Sequence, residues 1–127
     1  MSTNHVVVWI DHKEAHVIHF SPEATENEVL STHSTHAHLH VKSGIQGSGH
    51  ASENIPFFKN VTTAISDSLE ILIVGPGFEK LEFMKYLVKH HPAVAEKVIS
   101  VESSDHPTDR QILAFARKYF IRADRMR

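Results

Sequence analysis

Leu69-Glu-Ile-Leu-Ile-Val-Gly-Pro-Gly77 is the stretch on which the fold turns. An apolar run from Leu69 to Val74, closed by Gly75-Pro76-Gly77, is the pattern of a central strand buried on both faces. Such a strand sits inside a sheet with helices packed on it. The sequence on either side supplies those helices. Upstream, Asn54 caps a helix that Pro56 enters in its first turn, and Phe58, Val61 and Ile65 lie at helical spacing toward a core. Downstream, Phe78 to His90 reads as a helix with Leu81, Met84 and Val88 on one side, ended by Pro92.

Further out, the periodicity changes from helical to alternating. His5-Val-Val-Val-Trp-Ile10 is β-branched and aromatic, a buried strand. Asp11-His12-Lys13-Glu14 reads as a turn, and Ala15 to Phe20 as the returning strand of a hairpin. Glu28 to Val41 is a third, longer strand candidate, with His36, His38 and His40 on one face and Ala37, Leu39 and Val41 on the other. Lys97 to Glu102 is a further strand. Thr108-Asp109-Arg110-Gln111 is a capping box opening a last helix that carries Ile112, Phe115, Ala116 and Tyr119. The element order βββαβαβα predicts an α/β fold, a mixed β-sheet with helices packed on it. No internal repeat and no long linker divides the chain, so residues 1–127 read as a single domain.

Composition narrows the chemistry. The chain has 127 residues, 41% apolar and 22% charged, which is globular and long enough for a real core. It has no cysteine, which excludes disulfides, thiolate metal sites and cysteine nucleophiles. Met1 to Asn4 lacks a basic leader, and the apolar run Val6 to Ile10 is too short for a signal peptide or a membrane span; a cytoplasmic protein without membrane contact is expected. The formal net charge of −2 does not mark the whole molecule as a polyanion binder. Charge is uneven, however. Arg117, Lys118, Arg122, Arg125 and Arg127 crowd the end, opposed there by Asp124, and residues 121–127 form a basic tail. A solvated helix end placed favourably against the helix dipole is the first reading. Contact of Arg117, Lys118 and Arg122 with RNA is the second.

The segment Lys42-Ser43-Gly44-Ile45-Gln46-Gly47-Ser48-Gly49-His50 opens a glycine-rich loop over 42–53. It follows neither the Walker spacing nor the G-x-G-x-x-G order. Gly44, Gly47 and Gly49 free the backbone for positive φ or close approach. The loop reads as a pliable arm with Gln46 at its tip, whose amide offers both donor and acceptor, flanked by Lys42 and His50 as RNA-contacting groups. The twelve histidines would add positive charge as pH falls toward 6. His36, His38 and His40 share a strand face and are metal candidates, but a four-ligand set is not present locally, and no metal or other cofactor is expected. Among the carboxylates, Asp11 and Glu14 read as turn residues; a nuclease would need Glu70 and Glu102 gathered beside Asp11. No nucleophile elbow is present.

Taken together, four pieces carry a family resemblance. They are the hairpin His5 to Phe20, the strand running into the glycine loop, Leu69 to Val74 with Gly75-Pro76-Gly77, and Val98-Ile-Ser-Val-Glu-Ser-Ser-Asp-His106 ahead of a helix. In these the chain resembles the middle domain of eukaryotic and archaeal class-1 peptide-chain release factors and of Pelota, and more closely their short bacterial single-domain relatives. The resemblance implies a ribonuclease-H-like, translational-machinery-component fold and partners such as the ribosome, ribosomal RNA or tRNA. In release factors the loop carries Gly-Gly-Gln, whose glutamine promotes peptidyl-tRNA hydrolysis. Gly44-Ile45-Gln46 keeps the first glycine and the glutamine, so Gln46 is the catalytic candidate if the chain is a peptidyl-tRNA ester hydrolase. The middle position is β-branched, which disfavours positive φ, and termination activity is not expected. The leading expectation is a translation-associated protein that contacts its partner through this loop. A histidine-rich metal-binding or stress-related protein and a peptidyl-tRNA hydrolase are the alternatives, and a homo-oligomer is left open.

Overall fold

A computed structural model describes residues 5–21, 23–32 and 50–125, the side chains of 50–54 and 122–125 excepted. The alternating runs at the start form β1 (His5–Ile10) and β2 (Glu14–Phe20). Between them Asp11 Oδ1 accepts hydrogen bonds from the backbone N–H groups of Lys13 (2.8 Å) and Glu14 (2.9 Å), the turn role expected of it. β3 (Thr25–Ser31) pairs antiparallel with β2, from Glu14 opposite Ser31 to Phe20 opposite Thr25. After these come α1 (His50–Ile65), β4 (Glu70–Gly75), α2 (Glu79–His90), a single-turn α3 (Pro92–Ala95), β5 (Val98–Ser103) and α4 (Asp109–Arg125). The five strands form one sheet in the order β3-β2-β1-β4-β5, with β1, β4 and β5 parallel to one another. This is the mixed α/β architecture that the element order predicts.

Strand alternation divides the core into two layers. Val6, Val8 and Ile10 of β1, Val17 of β2 and Ile71 and Ile73 of β4 meet α1 and α2 through Phe57, Phe58, Val61, Ile65, Phe83 and Leu87. Val7 and Trp9 of β1, Ile18 and Phe20 of β2 and Leu72 and Val74 of β4 meet α4 through Ile112, Ala116 and Phe120. With both faces covered, β1 and β4 can be apolar throughout, as the run ending at Val74 requires. The capping box at α4 is formed: Thr108 N–H donates to Gln111 Oε1 (2.9 Å) and Gln111 N–H to Thr108 Oγ1 (3.2 Å).

The structure departs from the sequence expectations in its helices. α1 begins at His50, so Asn54 is not its cap, Pro56 lies inside it, and residues 50–53 are helix rather than loop. The Asn-x-Pro signal is local, whereas packing of Phe57, Phe58, Val61 and Ile65 holds the helix as a whole, and tertiary packing outweighs propensity. α2 presents Lys80, Phe83, Tyr86 and Leu87 to the interior, with the partly buried Met84 packed against the same core as expected, whereas Leu81 and Val88 face outward. Both stripes are apolar at helical spacing; the aromatic one wins because Phe83 and Tyr86 pack tilted against Phe58 at centroid distances of 5.3 and 5.5 Å. In α4, Phe115 faces solvent and Phe120 takes the core position instead. Pro92 ends α2 and opens α3. Residues 121–125 continue α4 rather than forming a separate tail. The proposed continuation of β3 to Val41 lies outside the described residues. Among those described, no helix is long and apolar enough to cross a membrane.

Candidate functional site

From β1 the chain turns toward β2 on one side of the sheet, and from β4 toward β5 on the other. Where neighbouring parallel strands part in this way, a crevice opens at their carboxyl ends. Here it has a volume of about 250 Å³ and is lined by Asp11, His12, Pro76, Gly77, Phe78, Glu79 and His106. Its floor depends on Gly75, where any Cβ would run into the Ile10 carbonyl oxygen. Gly77 has φ +60°, a left-handed conformation that favours glycine. The buried Lys80 holds this loop from below, its Nζ donating to Gly77 O at 2.5 Å. From the other wall, Trp9 Nε1 donates to Asp105 O (2.7 Å), and the Trp9 ring lies 4.9 Å from that of His106. β3 ends at the same edge, since Thr32 N–H donates to Lys13 O (3.0 Å). Thr32 therefore lies beside the turn between β1 and β2.

Next to this crevice, His16 bridges two elements. Its Nδ1 is 2.7 Å from Asp109 Oδ1 at the start of α4, and its Nε2 is 3.0 Å from Glu14 Oε2. Asn27 Nδ2 donates to the other oxygen of Asp109 (3.4 Å), and Trp9 packs edge-on against the imidazole at 5.5 Å. Partial burial disfavours the charged ring, but hydrogen bonds to Glu14 and Asp109 and the charges of both carboxylates outweigh it, so the His16 pKa is raised above 6.5. A raised folded-state pKa means that the protonated ring favours the folded protein. That stabilisation is complete below the unfolded value, near 6.5, and is lost as pH rises through the folded value. His16→Gln is therefore expected to cost the most stability near pH 6 and progressively less toward pH 9. Urea unfolding at both pH values measures this, and an equal cost at the two would refute the bridge as drawn.

The other residues singled out from the sequence fall in several places. Gly44, Gln46, Gly47, Gly49, Lys42, His36, His38 and His40 lie outside the described residues. His50 opens α1, and Arg122 belongs to the last turns of α4. Lys118 is exposed on α4. Arg117 is committed to the body: its Nη2 donates to Ser21 O (3.0 Å) and its guanidinium lies 5.9 Å from the centre of the Phe20 ring. The carboxylates do not gather. Asp11 caps the carboxyl end of β1, Glu70 meets His5 Nε2 (3.0 Å) at its amino end, and Glu102 takes the Ser100 hydroxyl (2.5 Å) on β5. A strand length, about 20 Å, separates the first two. No group of three or more potential ligands assembles a metal site among the described residues. The His16 bridge was missed from sequence; Asp109 inside the capping box was its one available signal.

Comparison with known proteins adds family context. No protein-family model matches the chain. In sequence it is 33% identical over 73 residues to the protein pelota homolog of Methanosarcina barkeri, a match covering 54% of this chain and 20% of that one. In fold it is similar to Archaeoglobus fulgidus Pelota, with a TM-score of 0.63 at 16% identity over 93% of this chain and 32% of that chain. It is also similar to the archaeal translation termination factor aRF1, with a TM-score of 0.53 at 12% identity over 83% of this chain and 31% of that chain. The chain thus spans about a fifth of the curated relative and about a third of each solved chain. The mixed five-stranded sheet with its packed helices is the fold of the Pelota middle domain.

Proposed function

We propose, from the Pelota- and release-factor-like middle domain that this chain forms, that it is a translation-associated protein contacting the ribosome, ribosomal RNA or tRNA. The observation that carries this reading is the 33% identity over 73 residues to a pelota homolog; the fold agrees with it. A cytoplasmic location belongs to the same proposal. In this reading the contact runs through the Gly44-Ile45-Gln46 loop with Lys42 and His50. Thr32, ten residues before Lys42 in the chain, sits at the carboxyl edge of the sheet beside Lys13. The exposed Lys118 and the position of Arg122 on α4 add phosphate-binding charge, whereas Arg117 serves to hold α4 against the end of β2. Peptidyl-tRNA hydrolysis through Gln46 is not part of the proposal, because Ile45 stands where release factors have a glycine that can adopt positive φ.

Co-sedimentation with ribosomes across a salt series tests the reading. Binding is expected at low salt and should weaken linearly on a logarithmic scale as salt rises. Lys118→Ala should lower the slope by about 1 if it contacts one phosphate. Gln46→Ala should reduce affinity at every salt concentration while leaving the slope unchanged, since an amide contact releases no counterion. No co-sedimentation even at the lowest salt would remove the proposal.

A further inference from the structure

α2 carries two apolar stripes, and the core uses one. The other is Phe78, Leu81 and Val88, which are 77%, 43% and 58% exposed. These lie at i, i+3 and i+10 and so share a helix face, with the stem of Lys85 between Leu81 and Val88 and the half-buried Met84 at one margin. The charges along this face are segregated. Glu82 lies in its amino-terminal half and Lys85 and Lys89 in its carboxyl-terminal half. Such a face is complementary to its own reverse. When two α2 helices run antiparallel about a twofold axis at the level of residue 83, Phe78 of each copy falls opposite Val88 of the other. Leu81 lies along the Lys85 stem of the second copy, Glu82 beside its Lys85 ammonium, and Lys89 beside its Phe78 ring. That isologous arrangement pairs apolar with apolar and acid with base on both sides of the axis.

We infer that this face of α2 is a self-association surface and that its occupant is a second copy of this chain. The Glu82–Lys85 pair within the helix, at 3.6 Å with both side chains exposed, does not compete strongly with the intermolecular one. Three turns of one helix bury less than the roughly 1,200 Å² of a standard interface, so the dimer is a weak one. A dissociation constant on the order of 100 μM is expected.

Sedimentation of the full chain from roughly 10 μM to 1 mM spans that range. A concentration-dependent monomer–dimer equilibrium is expected. Leu81→Glu should abolish it, with circular dichroism confirming an intact fold, since Leu81 contributes little to the core. Lys85→Glu should weaken association about tenfold by placing it against Glu82 of the second copy, equivalent to about 1.4 kcal/mol. Adding Glu82→Lys to Lys85→Glu should restore it. Phe115→Glu, on the exposed side of α4, should have no effect. A monomer throughout the range overturns the inference, as does a dimer that responds to Phe115→Glu and not to Leu81→Glu, or a double variant that fails to regain affinity.

Discussion

Gly75→Ala is expected to lower stability by about 3 kcal/mol, the upper end of the usual cost of overpacking, because the neighbour here is backbone and cannot relax. Gly75 is the last residue of β4, and its α-carbon lies against the last backbone carbonyl of β1. The atom a new Cβ would meet is Ile10 O. This is backbone, not the end of a side chain that could swing away, and Ile10 is itself fully buried and paired with Ala15 across the hairpin. Relief would require β1 and β4 to separate at their carboxyl ends, and with them the crevice between Asp11 and Phe78. Gly77 supplies the control. It has φ +60° but open space around its Cα, so Gly77→Ala should cost only the left-handed penalty, about 1–2 kcal/mol. Urea unfolding of both variants measures the difference, and equal costs would show that the close approach of β1 and β4 is not what selects glycine at 75.

Phe83→Ala is expected to be at least as damaging, about 3–5 kcal/mol, the range for emptying a buried aromatic site. Phe83 is fully buried, lies 5.3 Å from Phe58 and belongs to the layer that joins α1 and α2 to the sheet. Leu81→Ala, two residues away on the same helix, should cost less than about 1 kcal/mol when measured at low protein concentration. Thermal or urea unfolding of the pair decides which stripe of α2 faces the core. If Leu81→Ala proved the more destabilising, the assignment of inner and outer faces would be reversed, and the self-association surface would fall with it.

The two stripes show where legibility ended. Leu81, Met84 and Val88 read from sequence as the inner face; Phe83 and Tyr86 lie at the same kind of spacing, and spacing alone ranks neither. Phe83 and Tyr86 win because Phe58, twenty-five and twenty-eight residues earlier in the chain, stands where their rings can pack against it. The capping box at Thr108, the Asp11 turn and the apolar strand into Gly75 were legible because each is a local device, satisfied by residues within a few positions of one another. The candidate site was less legible. His16, Glu14, Asp109 and Asn27 are distributed over β2, β3 and the first turn of α4, and nothing in the spacing of four polar residues says that they meet. Arg117 likewise reads as one of five cations near the end of the chain, and only contact with Ser21 and Phe20 marks it as a tether.

By itself, the sequence determined the kinds of element and their order, and hence a mixed sheet sandwiched by helices, because hydrophobic periodicity and turn chemistry act over distances of a few residues. It also determined the absence of thiol chemistry. The tertiary structure decided which helix faces are inside, that Gly75 is required by a neighbouring carbonyl, and that the Asp11 turn, the Gly75-Pro76-Gly77 loop and His106 converge at one end of the sheet. These are relations between segments tens of residues apart. They are set by which side chains pack most area together once the chain has closed on itself, a quantity that no local pattern contains.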